Sequence, residues 1–167
     1  MESELDYRLR LAVEAKVLTD VNATSGIQSQ TYSTSVLTTL RKDLTKLATA
    51  GYSPGSLALH PLDWEDVELA LVSSNAVEHL SLPHDPATRR LFCMPVVATV
   101  SEAAGVGHVL AVDAVVVDTD TLGVGVQWLE NSNDTDFSKR LIRARCEGRF
   151  GTSVLSPLGV VSCDLTA

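Results

Sequence analysis

Four histidines, three cysteines and a scatter of turn acids are the residues of this chain whose chemistry could go beyond packing. A metal site would need His, Cys or carboxylate side chains spaced to converge on one ion. His60, His79, His84 and His108 form no such set: His79 and His84 stand five apart with only Glu78 and Asp85 nearby, so structural or solvated histidines are expected. Cys93, Cys146 and Cys163 are far apart and include no CxxC pair. An odd number of scattered thiols fits reduced cysteines in a cytosolic setting, all three packed inertly in the core. Asp118, Asp120, Glu130, Asp134 and Asp136 surround two turns but lack EF-hand spacing. Solvated turn acids are the plain reading, with cation binding the alternative. Gly105-Val106-Gly107 and Gly123-Val124-Gly125 lie outside any βαβ unit, so they read as turn and strand-bend glycines and not as dinucleotide loops. There is no GxSxG, and no Ser–His–Asp set stands out. The expectation is a protein that is not an enzyme and needs no cofactor or metal.

The polar constellation with a definite shape is Leu141–Phe150. Ile142, Ala144, Cys146, Gly148 and Phe150 alternate with Arg143, Arg145, Glu147 and Arg149, which places four long charged side chains on one face of a strand. A solvated sheet face is the plain reading. The guanidinium fork also pairs with carboxylates through two hydrogen bonds at once, so the row suits docking on an acidic surface of another subunit.

The rest of the chain bounds what such a strand could serve. At 167 residues, with 45% hydrophobic and 20% charged residues, it fits one ordinary globular unit with a real core. A net charge of −8 disfavours non-specific nucleic-acid binding and favours solubility at high concentration. The amphipathic start MESELDYRLRLAVEAK lacks the apolar centre of a signal peptide, and no apolar run approaches the roughly 20 residues of a membrane span.

The positioning elements follow from spacing. Leu5, Leu9, Ala12, Val13 and Val17 predict a helix over Ser3–Leu18 whose stripe needs a covering partner. Thr19–Thr34 is polar and reads as a long loop. Val36, Leu37, Leu40, Leu44 and Leu47 predict a helix over Ser35–Ala50, capped by Ser33, Thr34 or Ser35 and ended by Gly51. Leu57-Ala58-Leu59 predicts a short strand, which Pro61 keeps from continuing as a central one. Asp63 then caps a helix with Trp64, Val67 and Leu71 inward. Pro83-His84-Asp85-Pro86 marks an exposed loop within Ser81–Arg90, and strands dominate from Pro95 onward. Helices and strands mix without βαβ repetition, so the class is α+β.

Three stretches in this order carry a resemblance. HPLDWEDVELA, LFCMPVVAT and DFSKRLIRARCEGRFGTSVLSPLGVV resemble the strand–Pro–Asp-Trp–helix element, the Pro-Val-Val strand and the closing strand pair of HK97-type tailed-phage major capsid proteins. The resemblance implies an HK97-like fold, with residues 1–18 as the remnant of a spine helix, 19–117 as an axial domain and 118–167 as returning strands of a peripheral domain. The family's N-terminal arm, extended loop and full spine helix have no counterpart here, which implies a fragment or truncated copy. It further implies a structural subunit of a phage or prophage capsid, found in the virion and in the host cytoplasm before assembly. Its partner would be itself, in pentamers and hexamers of a shell, with other phage capsid proteins as further partners, and without specific nucleic acid or membrane. The contacts expected are Arg143, Arg145, Glu147 and Arg149, the loop with Pro83, His84, Arg89 and Arg90, and the loop Thr19–Thr34. One branch of the family cross-links a Lys to an Asn with help from a Glu. Glu147 matches that Glu, but Arg140 stands at the Asn position, so no cross-link is expected. An encapsulin-like compartment shell and an unrelated small-molecule-binding α+β domain or enzyme are the alternatives.

Overall fold

The computed structural model describes residues 2–73, 89–130 and 138–166, and they fold as mixed α+β. The helix α2 (Val36–Thr49) shows the local logic most clearly. Leu40, Leu44 and Leu47 recur at helical spacing and are buried, with Val36 and Leu37 packed at their margin. The Ser35 hydroxyl accepts the Thr38 backbone N–H at 3.2 Å, satisfying one of the donors that a first turn leaves open. Gly51 follows the helix at φ +84, a left-handed conformation that disfavours residues with a Cβ.

This helix covers one face of a six-stranded sheet. The spatial order is β1 (Gln28–Gln30), β10 (Val160–Asp164), β5 (Val106–Ala111), β2 (Pro54–Leu59), β4 (Met94–Ala98) and β3 (Arg90–Leu91). The β1–β10 and β2–β4 pairs are parallel and the other three antiparallel. Parallel neighbours need a crossover, and α3 (Pro61–Ser73) lies on the connection from β2 to β4. Register lines up Leu57, Val109 and Val161 on one face, with Leu59, Gly107 and Cys163 beside them. Gly107 is required there: a Cβ would lie 2.7 Å from Leu59 Cδ2 and 3.0 Å from Cys163 Sγ. Trp64 and Val67 of α3 join the same core.

Both outer strands of this sheet are short, three and two residues. On β1, Lys46 of α2 donates to the Ser29 carbonyl, and the Gln28 amide donates to the Leu158 carbonyl at 2.6 Å. Short, side-chain-blocked edges recruit no further strands.

Two antiparallel ribbons complete the fold. β6 (Val115–Thr119) pairs with β9 (Phe150–Val154), and β7 (Gly125–Glu130) with β8 (Ile142–Glu147). The helix α1 (Glu2–Ala23) packs against β8 and β9. Its stripe Leu5, Leu9, Val13 and Val17 is half-buried, Val21 is fully buried and Ala12 is exposed. Thr99 donates to Glu14 at 2.6 Å and Ser101 to the Leu11 carbonyl at 3.2 Å, tying α1 to the turn after β4.

Several expectations are corrected. Thr19–Thr34 is not one loop: residues 19–23 extend α1 and Gln28–Gln30 form β1. Val21 reaches the core, and the Thr19 and Thr24 hydroxyls donate to carbonyls four residues back at 2.8 Å, so these threonines stay within helical bonding. Leu141–Phe150 is not one strand; it divides at Gly148, where the Phe150 ring lies so close that a Cβ would come within 2.8 Å of it. The strand at Leu57–Leu59 begins at Pro54 and is an inner strand, ending before Pro61. Asp63 does not cap α3. The helix opens at Pro61, His60 Nδ1 accepts the Leu62 N–H at 3.2 Å, and the Asp63 carboxylate accepts the Gly105 N–H at 2.9 Å. Of the cysteines only Cys163 is buried; Cys146 is half-buried and Cys93 is exposed in the β3–β4 turn at φ +67.

Candidate assembly surface

Opposed residues of an antiparallel pair share a face. The β7–β8 register therefore gives the ribbon two different sides. Val126–Cys146, Trp128–Ala144 and Glu130–Ile142 form one, and Gly125–Glu147, Gln127–Arg145 and Leu129–Arg143 the other. The predicted alternation is thus real within β8, although Ile142 on its apolar side is 60% exposed and Phe150 beyond it is also exposed. On the polar side Arg145 donates to both Gln127 and Glu147 at 3.1 Å. Arg145 is thus ion-paired with Glu147 on the exposed side of the ribbon.

Arg143, Arg145 and Glu147 are brought together as the alternation requires. Arg149 is not part of their strand; it stands in the β8–β9 turn, 3.9 Å from Asp120. Arg89 and Arg90 are exposed at the outer strand of the six-stranded sheet, separate from the ribbon, with Arg89 at φ +41. Pro83 and His84 lie outside the described residues, as do His79, Asp134 and Asp136. Periodicity gave no sign that Trp128, Leu129, Leu141, Ile142 and Leu122 would stand exposed on and beside this ribbon. A two-stranded ribbon with exposed apolar residues is marginal in water unless something covers it.

Between α1 and the ribbons runs a groove of about 410 Å³ lined by Asp6, Leu9, Arg10, Val13, Glu14, Val124 and Phe150, with Asp6 paired to Arg10 and Glu14 accepting from Thr99. Nothing in it converges on a reacting atom. Asp118 lies on β6, Asp120 pairs with Arg149 and Glu130 closes the far end of β7, so these acids do not meet. Among the described residues, no three His, Cys, Asp or Glu side chains stand close enough to share a metal ion.

Two buried polar groups escaped sequence reasoning, because the residues are brought together from distant parts of the chain. The fully buried His108 contacts Glu102 through Nδ1 at 2.9 Å and Asn22 of α1 through Nε2 at 2.8 Å. With both ring nitrogens engaged, it is a structural histidine joining α1 to the sheet. Asp43 of α2 is fully buried, and neither carboxylate oxygen has a hydrogen-bond partner among the described residues. Cys163 beneath it spends its S–H on the Gly107 carbonyl at 3.2 Å. Burial pushes the Asp43 carboxyl up to about 6, and also raises the Cys163 thiol.

With this geometry established, likeness to known proteins becomes informative. No protein-family profile and no curated protein matches the chain. Among solved structures it is similar to a virus-like particle from Pyrococcus furiosus, with TM-score 0.68, 16% identity and coverage of 92% of this chain and 61% of that one. It is also similar to a structure from Gordonia phage Cozz, with TM-score 0.62, 14% identity and coverage of 86% and 51%. At these identities the likeness shows a shared fold alone. The chain spans about three-fifths and one-half of the lengths of these two neighbours. No α-helix among the described residues is long and apolar enough to cross a membrane.

Proposed function

We propose that this chain is a structural subunit of a closed protein shell of the HK97 type and works by association with copies of itself. The observation that carries this reading is the likeness over 92% of the chain to a particle-forming protein, and the exposed β7–β8 ribbon supports it. In this reading residues 19–117 are the axial part, which packs around the centre of five- and six-fold rings. Residues 1–18 and 118–167 are the peripheral part. The ribbon, with Arg143, Arg145 and Glu147, and the edge with Arg89 and Arg90 supply contacts between copies. The subunit resides in a phage or prophage capsid, and its chemistry is assembly, not catalysis.

Light scattering and electron microscopy of the purified chain test the proposal. Rings of five or six, or closed particles, are the expected result. A monomer at every concentration, including under crowding salts, refutes it. The Pyrococcus neighbour favours a second reading with the same fold, an encapsulin-like compartment shell that encloses protein cargo. The contents of particles purified from the native cell separate the two: a genome supports the capsid, and enzyme cargo supports the compartment.

A further inference from the structure

The charges of this chain are unevenly placed. Lys139, Arg140, Arg143, Arg145 and Arg149 are five of its 13 Lys and Arg, and the same stretch holds one of its 21 acids, Glu147. Strand β8 and its flanks, residues 139–149, are therefore basic on a molecule that is otherwise strongly acidic, and on the polar side of the ribbon Arg143 and Arg145 outnumber Glu147. Such a molecule is attracted to copies of itself in one orientation, with the ribbon of one against an acidic face of the next.

The helix α3 presents an acidic face of suitable form. Its inner side carries Trp64 and Val67, both buried. Leu62, Glu65, Asp66 and Leu69 recur at i, i+3, i+4 and i+7 and share the opposite side. All four are exposed, and Leu62 and Leu69 each at 58%. Two carboxylates thus lie between two exposed leucines. The polar side of the ribbon is the counterpart, with Arg143 and Arg145 beside Leu129, which is 46% exposed. A solvent-facing helix seldom shows leucines at both ends of an acidic pair unless something covers them.

We infer that the basic side of the β7–β8 ribbon (Leu129, Arg143, Arg145) docks on the outer face of α3 (Leu62, Glu65, Asp66, Leu69) of a second copy. The inference rests on the shell-subunit reading and names one of its contacts. The two patches differ, so the contact is head-to-tail, a type that closes into rings when the rotation between copies allows. Charge sets the orientation, and the leucines supply apolar area that leaves water.

Three forms of the full chain test it by sedimentation velocity at low and high salt. The wild type is compared with R143E/R145E and with E65K/D66K, and circular dichroism melts check that each variant folds. Each variant alone is expected to associate at least about tenfold more weakly than wild type. An equimolar mixture is expected to recover association, because each reversed patch then meets an opposite one. Variants that assemble like wild type overturn this contact while leaving the shell reading intact. Loss in both variants without recovery on mixing also overturns it. A wild type that never associates overturns both. Should a reversal fail to fold, R143Q/R145Q and E65Q/D66N serve in its place, with a smaller loss expected and no loss refuting the contact.

Discussion

Replacing Asp43 with Asn probes the least satisfied group in the core. The side chain is fully buried under α2, and neither oxygen has a hydrogen-bond partner among the described residues. Burial raises its carboxyl from the ordinary 3.8 to about 6, with Cys163 and Lys46 pulling the other way. A proton is therefore held more tightly in the folded chain than in the unfolded one. Stability tied to this group is fully present below pH 3.8, falls as pH rises towards 6, and levels off above that. The gap between the two values corresponds to about 3 kcal/mol held against the folded state at neutral pH. An Asn of the same shape does not ionise. D43N is expected to be more stable than wild type by about 2–3 kcal/mol at pH 7.5 and to show no advantage at pH 4. For a chain of this size that gain raises Tm by roughly 5–10 °C. Urea unfolding at pH 4, 5, 6 and 7.5, followed by the fluorescence of the buried Trp64, reads the difference directly, and an unchanged denaturant slope confirms a like-for-like comparison. Equal stability at pH 7.5, or an advantage that grows as the pH falls, would refute the reasoning.

The His108 site should show the opposite pattern. H108L leaves the buried Glu102 carboxylate without its imidazole partner and should lose about 3–5 kcal/mol, most of it regained in H108L/E102L, as urea melts will show. G107A forces a methyl group into Leu59 and Cys163 and should cost about 1–3 kcal/mol, while a loss below about 0.5 kcal/mol would mean that the sheet yields there. Under native conditions a maleimide should modify Cys93 rapidly and Cys163 only after unfolding; mass spectrometry of the digested adduct decides, and early modification of Cys163 would contradict its burial. Assembled material should have the intact mass of the unmodified chain, since Arg140 carries no side-chain amide for a Lys to attack.

The legibility of the chain depended on how far apart the deciding residues stand. α2 was readable to its caps because its leucine spacing, Ser35 and Gly51 are all local. The β8 alternation was readable for the same reason. The end of that strand was not: the pattern continues unbroken through Gly148 and Arg149, and the change of partner from β7 to β6 leaves no mark on polarity. β1 is Gln-Ser-Gln, with no apolar signal, and becomes a strand because β10 offers it a parallel neighbour. The Asn22–His108–Glu102 junction spans 86 residues, and the burial of Asp43 depends on which face of α2 meets β10. Of the candidate assembly surface, the arginine row was legible, whereas the exposed leucines of α3 and Trp128 of β7 could be told from core residues only once the fold was known.

The blunted margins of the six-stranded sheet bear on life at high concentration. In the proposed shell role, copies of the chain would crowd against one another before assembly. With Ser29 already bonded to Lys46 and the opposite margin only two residues long, the six-stranded sheet offers little template for backbone-to-backbone stacking. Copies that collide along this sheet meet through side chains, which gives that part of the fold no start for a fibre.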